Sequence, residues 1–446
     1  MFLMISPNLL MKSFLINCLL ILGVLANEQI PAPPQKNPIL LKNGFIHTVS
    51  KGTIEGSILF EKGKIIRVAK YITPPENCEI IDLNGKHVYP GMIAAVSGLG
   101  LIEINAVNET NDHSERGDFN PNVLANIAFN SDSEIIPTTR SNGILTANVI
   151  PSSGLVSGQS SIMMLDGWTS ENATLSSPSG LHINWPNMNS IVKTDYEKKM
   201  FKTAQKNLNN LESIIKDARA YARLRQARSR SAENYHNEDL RWESMIPYVN
   251  KKLPIYIHAN EVRQIEAAIS WSIRHSLNII IVGGKDAWRT TDLLVKNRIP
   301  VIYESVTSLP YRRFEDSDQA YKTPSILYEK GVQFCISQYG FAGSAYQIRN
   351  LPYQASMAAS YGLPKEAALR SVTLSAAEIL GIDKKIGSLE AGKDATLFIS
   401  NGDPLEIRTN IIQAFIQGKK IDMDDRHKSL YSKYKEKYRQ LDILKE

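Results

Sequence analysis

Histidine and cysteine are scarce in this chain, which has 8 histidines and 3 cysteines among its 446 residues. Cys18, Cys78 and Cys335 are far apart, so they form neither a disulfide framework nor a zinc-binding pattern. We expect Cys78 and Cys335 to be packed thiols. A metal site that needs several histidine ligands has few residues from which to be built.

The most basic part of the chain lacks the features of a nucleic-acid interface. Residues 193–252 contain 14 Lys or Arg against 8 Asp or Glu, a surplus equal to the formal net charge of +6 for the whole chain. For about fifty residues this stretch has no Gly or Pro, which predicts exposed helices. Interleaved aromatics and a known nucleic-acid module are absent, so we predict a solvated helical face and no nucleic-acid partner.

The N-terminus is typical of a secretory signal peptide. Lys12 precedes an apolar run at 14–25 that ends in small residues, and synthesis starts at Met1 or Met11. We predict a signal peptide at 1–26 and a secreted chain, with the periplasm as its expected compartment. The run is too short to span a bilayer comfortably, so an uncleaved anchor is the less favoured alternative. After cleavage we expect no stable membrane insertion.

The pattern of apolar residues changes twice along the chain. Short β-type runs between glycine turns cover 38–87 and return at 382–421. Between them, from 88 to 381, β-type runs alternate with helical stretches, which predicts a parallel barrel of the α/β class. We expect both chain ends to join in one small β-sandwich domain. The remaining predicted segments are a Pro-rich linker at 27–37, a helical insertion at 193–250 and a charged C-terminal helix at 422–446.

The first barrel strand lies within 84–103, which reads NGKHVYPGMIAAVSGLGLIE. This stretch resembles the start of the barrel in the amidohydrolase superfamily, where Pro-Gly-hydrophobic-Ile-Asp-x-His-x-His carries two metal ligands. Residues 90–93 match that motif. Ala94 replaces its Asp, and Val96 and Gly98 replace its two histidines. The framework of the motif is present without its ligands.

A second resemblance lies at 371–400, SVTLSAAEILGIDKKIGSLEAGKDATLFIS, which is similar to the closing segment of the same superfamily. The likeness is strongest to the imidazolonepropionase-like branch, secreted forms included. It implies a (β/α)8 TIM-like barrel with a composite β domain. It also implies hydrolysis of non-peptide C–N bonds, in which bound metal ions lower the pKa of a water molecule.

His258 is the one ligand-like residue that the resemblance retains, after a middle strand of the barrel. The next histidine would fall within 279–284, which contains none, and the final Asp would fall at Gln338 or Tyr339. Catalytic metal sites generally use three protein ligands. We therefore predict degenerate ligand motifs and no metal cofactor; bound zinc or another divalent metal would show this prediction to be wrong. The alternative for His258 is a hydrogen-bonded barrel histidine.

Polar residues follow several predicted strands, where barrel enzymes have their pockets. The pocket candidates are His258, Glu103, Ser153, Lys285, Glu304, Gln338, Tyr339 and Arg349. No catalytic residue is assigned among them.

Three functions remain open from the sequence. The first is a non-catalytic binding or partner subunit, in a homodimer or in a hetero-oligomer with an amidohydrolase paralogue that keeps its metal ligands. The second is an active hydrolase of a cyclic amide or N-acyl compound with a divergent site. The third is an unrelated chemistry in the same pocket. The sequence does not name a substrate.

Overall fold

The computed structural model describes residues 29–188, 194–228, 238–304, 306–310, 312–338 and 345–443. The predicted signal peptide and the pocket candidate Tyr339 lie outside these residues. Among the described helices, none combines the length and the apolar composition that crossing a membrane requires.

The strands and helices follow in chain order. The strands are β1 Ile39–His47, β2 Thr53–Glu61, β3 Lys64–Ala69, β4 Glu79–Asp82, β5 His87–Pro90, β6 Met92–Ser97, β7 Ile144–Val149, β8 Val156–Met164, β9 Thr174–Asn184, β10 Ile255–Ala259, β11 Ile279–Gly283, β12 Val301–Glu304, β13 Phe334–Ser337, β14 Leu397–Ser400, β15 Ile411–Ile416 and β16 Lys419–Ile421. The α-helices are α1 Ile135–Arg140, α2 Ser170–Ala173, α3 Asp195–Arg228, α4 Leu240–Val249, α5 Val262–Arg274, α6 Thr291–Asn297, α7 Gln319–Glu329, α8 Leu351–Ser360, α9 Lys365–Ser371, α10 Leu374–Ile379 and α11 Arg426–Gln440.

One eight-stranded sheet contains strands from both ends of the chain. Its order is β16-β15-β14-β5-β1-β2-β3, with β4 paired to β1. β14 lies antiparallel to β5, with Leu397 opposite Pro90 and Ser400 opposite His87. The chain therefore returns, after some three hundred residues, to the edge of the sheet from which it left for the barrel.

The other eight-stranded sheet, in the order β13-β12-β11-β10-β9-β8-β7-β6, curls into a nearly closed barrel. The gap between its outer strands is bridged by Ser337, whose Oγ accepts a hydrogen bond from the Val96 amide at 3.1 Å and lies 3.3 Å from the Val96 carbonyl oxygen. The fold is therefore mixed α/β with an eight-stranded barrel sheet.

One barrel strand runs against the others. β8 pairs antiparallel with both β7 and β9, whereas the other neighbouring pairs in the sheet are parallel. Only residues 150–155 separate β7 from β8, and so short a connection cannot carry the crossover that a parallel pair needs. The barrel thus departs from a regular set of eight parallel strands.

The barrel interior is apolar at the end where its strands begin. Tyr256, Ile280, Ile302 and Cys335 are buried there and belong to one cluster with residues of α10 such as Ala376. This packing excludes water from the lower barrel. Polar side chains that point inward are therefore concentrated near the ends of the strands.

The basic insertion contains two helices, α3 and α4, and is less solvated than its composition indicates. Leu211, Ile215 and Ala218 of α3 are buried at the three- and four-residue spacing of one helix face. On the same helix, Arg225 forms an ion pair with Glu243 of α4 at 3.0 Å. The charges of the insertion are therefore partly used to join its own helices.

Candidate functional site

Polar residues lie at the ends of two pairs of neighbouring barrel strands, β9 with β10 and β12 with β13, and β11 lies between the pairs. His258 of β10 lies opposite Asn184 of β9, and Glu304 of β12 lies opposite Ser337 of β13. The carboxyl ends of parallel barrel strands open on the same rim, which is where barrel proteins hold their ligands. We treat these four residues as the rim of the candidate site.

A pair of histidines lies within this rim. His182 Nδ1 and His258 Nε2 are 2.9 Å apart, and the ring of Tyr256 stacks on His182 at a centroid distance of 4.7 Å. Burial lowers the pKa of His258 to about 4 and the pKa of His182 well below its ordinary value, to which the His258 charge also contributes. Both rings are therefore neutral at pH 7, and one donates a hydrogen bond to the other. Within the described structure, His182 Nε2 has no hydrogen-bond partner.

Glu304 is a buried carboxyl group on the same rim. The residue is 8% exposed, and its Oε1 has no hydrogen-bond partner among the described residues. Burial raises the pKa of Glu304 to about 7, although the charge of Lys285 acts to lower it. A carboxyl group with this pKa can hold or release a proton near neutral pH.

The structure separates the other pocket candidates. Gln338 is buried directly after β13 and its Nε2 lies 3.4 Å from Gln347 Oε1. Lys285 follows β11 and acts on Glu304 through its charge. Arg349 is directed instead toward the C-terminal helix, where its Nη1 is 3.1 Å from His427 Nε2.

Two further candidates are held by their own loops. Glu103 accepts hydrogen bonds from Ser133 Oγ at 2.8 Å and from Asn130 Nδ2 at 3.2 Å. Burial raises the pKa of Glu103, and these two bonds oppose that effect. Ser153 donates its hydroxyl to the Glu115 carbonyl oxygen at 3.0 Å. Both residues thus have local structural bonds that account for their positions.

Sequence reasoning missed His182, and also Asn184 and Ser337 of the rim; the histidine is the most informative of the three. It lies in β9, whose first half, TLSSPSG, is small and polar and does not indicate a strand. The available signal was the ending LHIN, in which His182 and Asn184 alternate with the buried Leu181 and Ile183. That alternation is typical of a strand with one polar face toward a barrel interior.

The divalent metal that the resemblance implies does not fit the described residues. Among them, no group of three or more His, Cys, Asp or Glu could hold an ion. At the end of β11, where a second histidine would fall, Gly283 has a φ of 95°, and an added Cβ would lie 2.5 Å from Asn260 Oδ1. A ligand side chain there would be strained and would clash. No step through a metal is therefore derived.

Comparison with known proteins agrees with the barrel and its closing segment. Residues 334–423 match the amidohydrolase family. Amidohydrolase tasK from Hapsidospora irregularis is 23% identical over 395 residues, which cover 81% of this chain and 39% of that protein. This chain therefore spans about two-fifths of the length of that relative.

Solved structures share the fold. An amidohydrolase from Thermotoga maritima MSB8 aligns with a TM-score of 0.77 and 24% identity, over 86% of this chain and 99% of that one. A prolidase complexed with N-methylphosphonate-L-proline aligns with a TM-score of 0.55 and 16% identity, over 86% and 100% of the two chains. These structures show a shared fold, and the matched segment and the relative make this chain similar to amidohydrolases.

Proposed function

We propose that this protein is a secreted, periplasmic member of the amidohydrolase superfamily that has lost the metal centre and acts as a non-catalytic binding or partner subunit. The proposal includes the imidazolonepropionase-like branch, a barrel of the (β/α)8 type and a small composite β domain made by both chain ends. The relatives support the fold, and the residues of the rim support the loss of metal chemistry.

The seam between β6 and β13 is the observation that carries the proposal. In the resembled motif, this is where histidines of the first strand and an Asp of the last strand meet a metal. Here Val96 stands in the first strand, and its backbone is bonded directly to the neutral hydroxyl of Ser337. The remaining ligand-like residue, His258, shares a hydrogen bond with His182. Among the described residues, no further His, Cys, Asp or Glu joins this pair to complete a set of three metal ligands.

Metal analysis tests this proposal. We expect the purified protein to contain no stoichiometric zinc, iron or manganese, because His258 and His182 are fewer than the three protein ligands that a hydrolytic metal generally needs. Elemental analysis of the wild type, of His258→Ala and of His427→Ala measures this directly. His427 serves as the matched control because it lies on the exposed helix α11. About one ion per chain that is lost only in His258→Ala would overturn the proposal.

A second candidate function is favoured by Glu304. A buried carboxyl group with a pKa of about 7 and a partnerless oxygen could act as a general base toward water in a divergent hydrolase. The same metal-free preparation should be assayed with N-acyl and cyclic-amide substrates. Hydrolysis that disappears in Glu304→Gln would establish this candidate in place of the non-catalytic one.

The partner role has its own expected result. We propose a hetero-oligomer with a paralogue that keeps its metal ligands, or otherwise a homodimer. A specific interface should bury on the order of 1,200–2,000 Å². Size-exclusion chromatography with light scattering, run on the protein alone and mixed with that paralogue, measures the assembly. A strict monomer in both runs contradicts the partner role without affecting the metal result.

A further inference from the structure

The C-terminal helix α11 lies on the surface with no buried residue. Its large side chains are exposed, with Tyr431 at 68% and Tyr434 at 50%, and the exposed Leu441 follows its last turn. Leu430, Tyr434, Tyr438 and Leu441 succeed one another at spacings of four, four and three, and Tyr431 lies beside them. These spacings place all five on one face of the helix.

Positive charge borders this aromatic face on both sides. The helix contains six Lys or Arg and one Glu. At 3.6 residues per turn, three of the cations lie along each edge of the face. One edge carries Arg426, Lys433 and Lys437. The other carries Lys435, together with Lys428 and Arg439, which form ion pairs with Asp425 at 3.6 Å and with Glu436 at 2.9 Å. Lys437 Nζ is 5.9 Å from the ring centre of Tyr434 and 5.8 Å from that of Tyr438, so this edge adjoins the rings directly.

The helix is attached to the body through its first turn. The buried carboxylate of Asp425 accepts hydrogen bonds from the amides of His427 at 2.8 Å and Lys428 at 3.1 Å, and another from Ser141 Oγ at 2.5 Å. Such an N-cap fixes the start of a helix and satisfies its free amides. The aromatic face therefore projects from a fixed base and is presented to the outside.

We propose that α11 is a docking surface for an anionic lipid bilayer, lying in the plane of the headgroups. Tyrosine suits that depth because its ring is apolar and its hydroxyl remains hydrated. Lysine and arginine at the two edges can extend their charged ends to lipid phosphates while their stems cover the apolar boundary. Basic residues near an anionic membrane each strengthen binding.

The charge distribution argues against a second copy of this chain as the occupant. Two such helices packed face to face would bring their twelve cations together against two glutamates, and like charges at that distance repel. An acidic protein would satisfy the same cations. It would not require cations along both edges of a tyrosine face, whereas a planar layer of headgroups contacts both edges at once.

Vesicle co-sedimentation tests the proposal. The chain starting at Asn27 keeps every described residue and omits the apolar stretch 14–25, which would bind lipid by itself; the full chain is run beside it. We expect binding to vesicles of phosphatidylcholine with phosphatidylglycerol, little binding to phosphatidylcholine alone, and weaker binding as salt is raised. Replacing the three helix tyrosines, Tyr431, Tyr434 and Tyr438, with serine should weaken the affinity at least about tenfold.

A matched variant controls for the general loss of tyrosine. Tyr71, Tyr196 and Tyr328 are also exposed but lie outside α11, and their replacement with serine should leave vesicle binding unchanged. Equal loss in both triple variants, or equal binding to neutral vesicles, would overturn the proposal. So would a dimer in light scattering that only the α11 variant dissociates, which would assign the face to a second copy. Binding to polyglutamate without binding to anionic vesicles would assign it to an acidic protein.

Discussion

Replacing Asp166 with alanine is expected to lower the free energy of unfolding by about 3–5 kcal/mol, because it leaves a buried arginine without its counter-ion. Arg140 is 5% exposed, and its Nη1 lies 3.3 Å from Asp166 Oδ1. Burial lowers the pKa of Arg140, and the charge of Asp166 opposes that effect. Without the carboxylate, the guanidinium would keep its hydrogen bonds to the Leu165 carbonyl oxygen and Gln29 but would lose the counter-ion with which it pairs.

Asp166 also joins the two sheets. Its replacement should therefore lower the free energy of unfolding by more than the loss of a local ion pair would. Its Oδ2 lies 3.2 Å from Lys419 Nζ on β16, while Arg140 ends α1 beside the barrel. Its Oδ1 accepts the Ala32 amide at 3.3 Å. Removal of the Asp166 side chain therefore breaks contacts among the segment around Ala32, the barrel and the sheet that contains β16.

Chemical denaturation followed by circular dichroism measures the effect. The matched control is Asp195→Ala, whose carboxylate pairs with Lys198 at 2.8 Å but is 95% exposed. An exposed pair contributes about 0–1 kcal/mol, so this variant should unfold close to the wild type. A double replacement, Arg140→Met with Asp166→Leu, should recover much of the loss because neither charge remains buried. Equal stability of Asp166→Ala and Asp195→Ala would contradict the proposal that Asp166 joins the barrel to the sheet that contains β16.

Sequence reasoning located the parts of the barrel whose residues have a strong local signal. The resemblance to the amidohydrolases implies that His258 follows a middle strand, and the short apolar run Ile255–Ala259 is a local signal for that strand. The structure puts that residue on the rim of the barrel. The closing segment at 371–400 was informative for a similar reason, since it overlaps the residues that match the amidohydrolase family.

The strand pair β8–β9 could not be predicted in the same way, because small hydroxyl side chains lie on both of its faces. Ser160 Oγ lies 2.8 Å from Ser179 Oγ, and Ser161 Oγ lies 2.8 Å from Ser177 Oγ. Such residues are normally read as loop or surface. They are stable inside the sheet only because each hydroxyl finds a partner on the facing strand, and that pairing is known only from the folded chain.

Long-range packing also decided which pocket candidates share the rim. Arg349 follows the last barrel strand, which in a regular barrel would place it near the mouth. Its guanidinium instead reaches His427, which is 78 residues further along the chain. The sequence contains no local signal for that contact, since it depends on where α11 begins.

The largest pH effect is expected from Glu304, whose replacement by glutamine should change how stability depends on pH. Burial raises the pKa of Glu304 from an ordinary value of 4.5 to about 7 in the folded protein. The folded chain thus holds this proton more tightly than the unfolded chain does. Its contribution to stability is fully present below pH 4.5 and is lost as the pH rises through 7.

Glu304→Gln keeps the size of the side chain and removes the ionisation. Between about pH 5 and pH 8, the wild type should lose stability relative to this variant, by up to about 3 kcal/mol. Denaturant midpoints measured for both proteins at several pH values give the difference directly. The control Glu55→Gln removes an exposed carboxylate on β2 and should keep the pH profile of the wild type.

The way in which the stability difference between the wild type and Glu304→Gln changes with pH also distinguishes two charge states of the rim. If Glu304 is protonated near neutral pH, the rim presents neutral His182, neutral His258 and a neutral carboxyl group, which suits an uncharged or anionic ligand more than a cation. Parallel pH profiles for the wild type and Glu304→Gln would mean that Glu304 is ionised throughout this pH range. The rim would then carry a fixed negative charge, and the description of a neutral ligand pocket would fail.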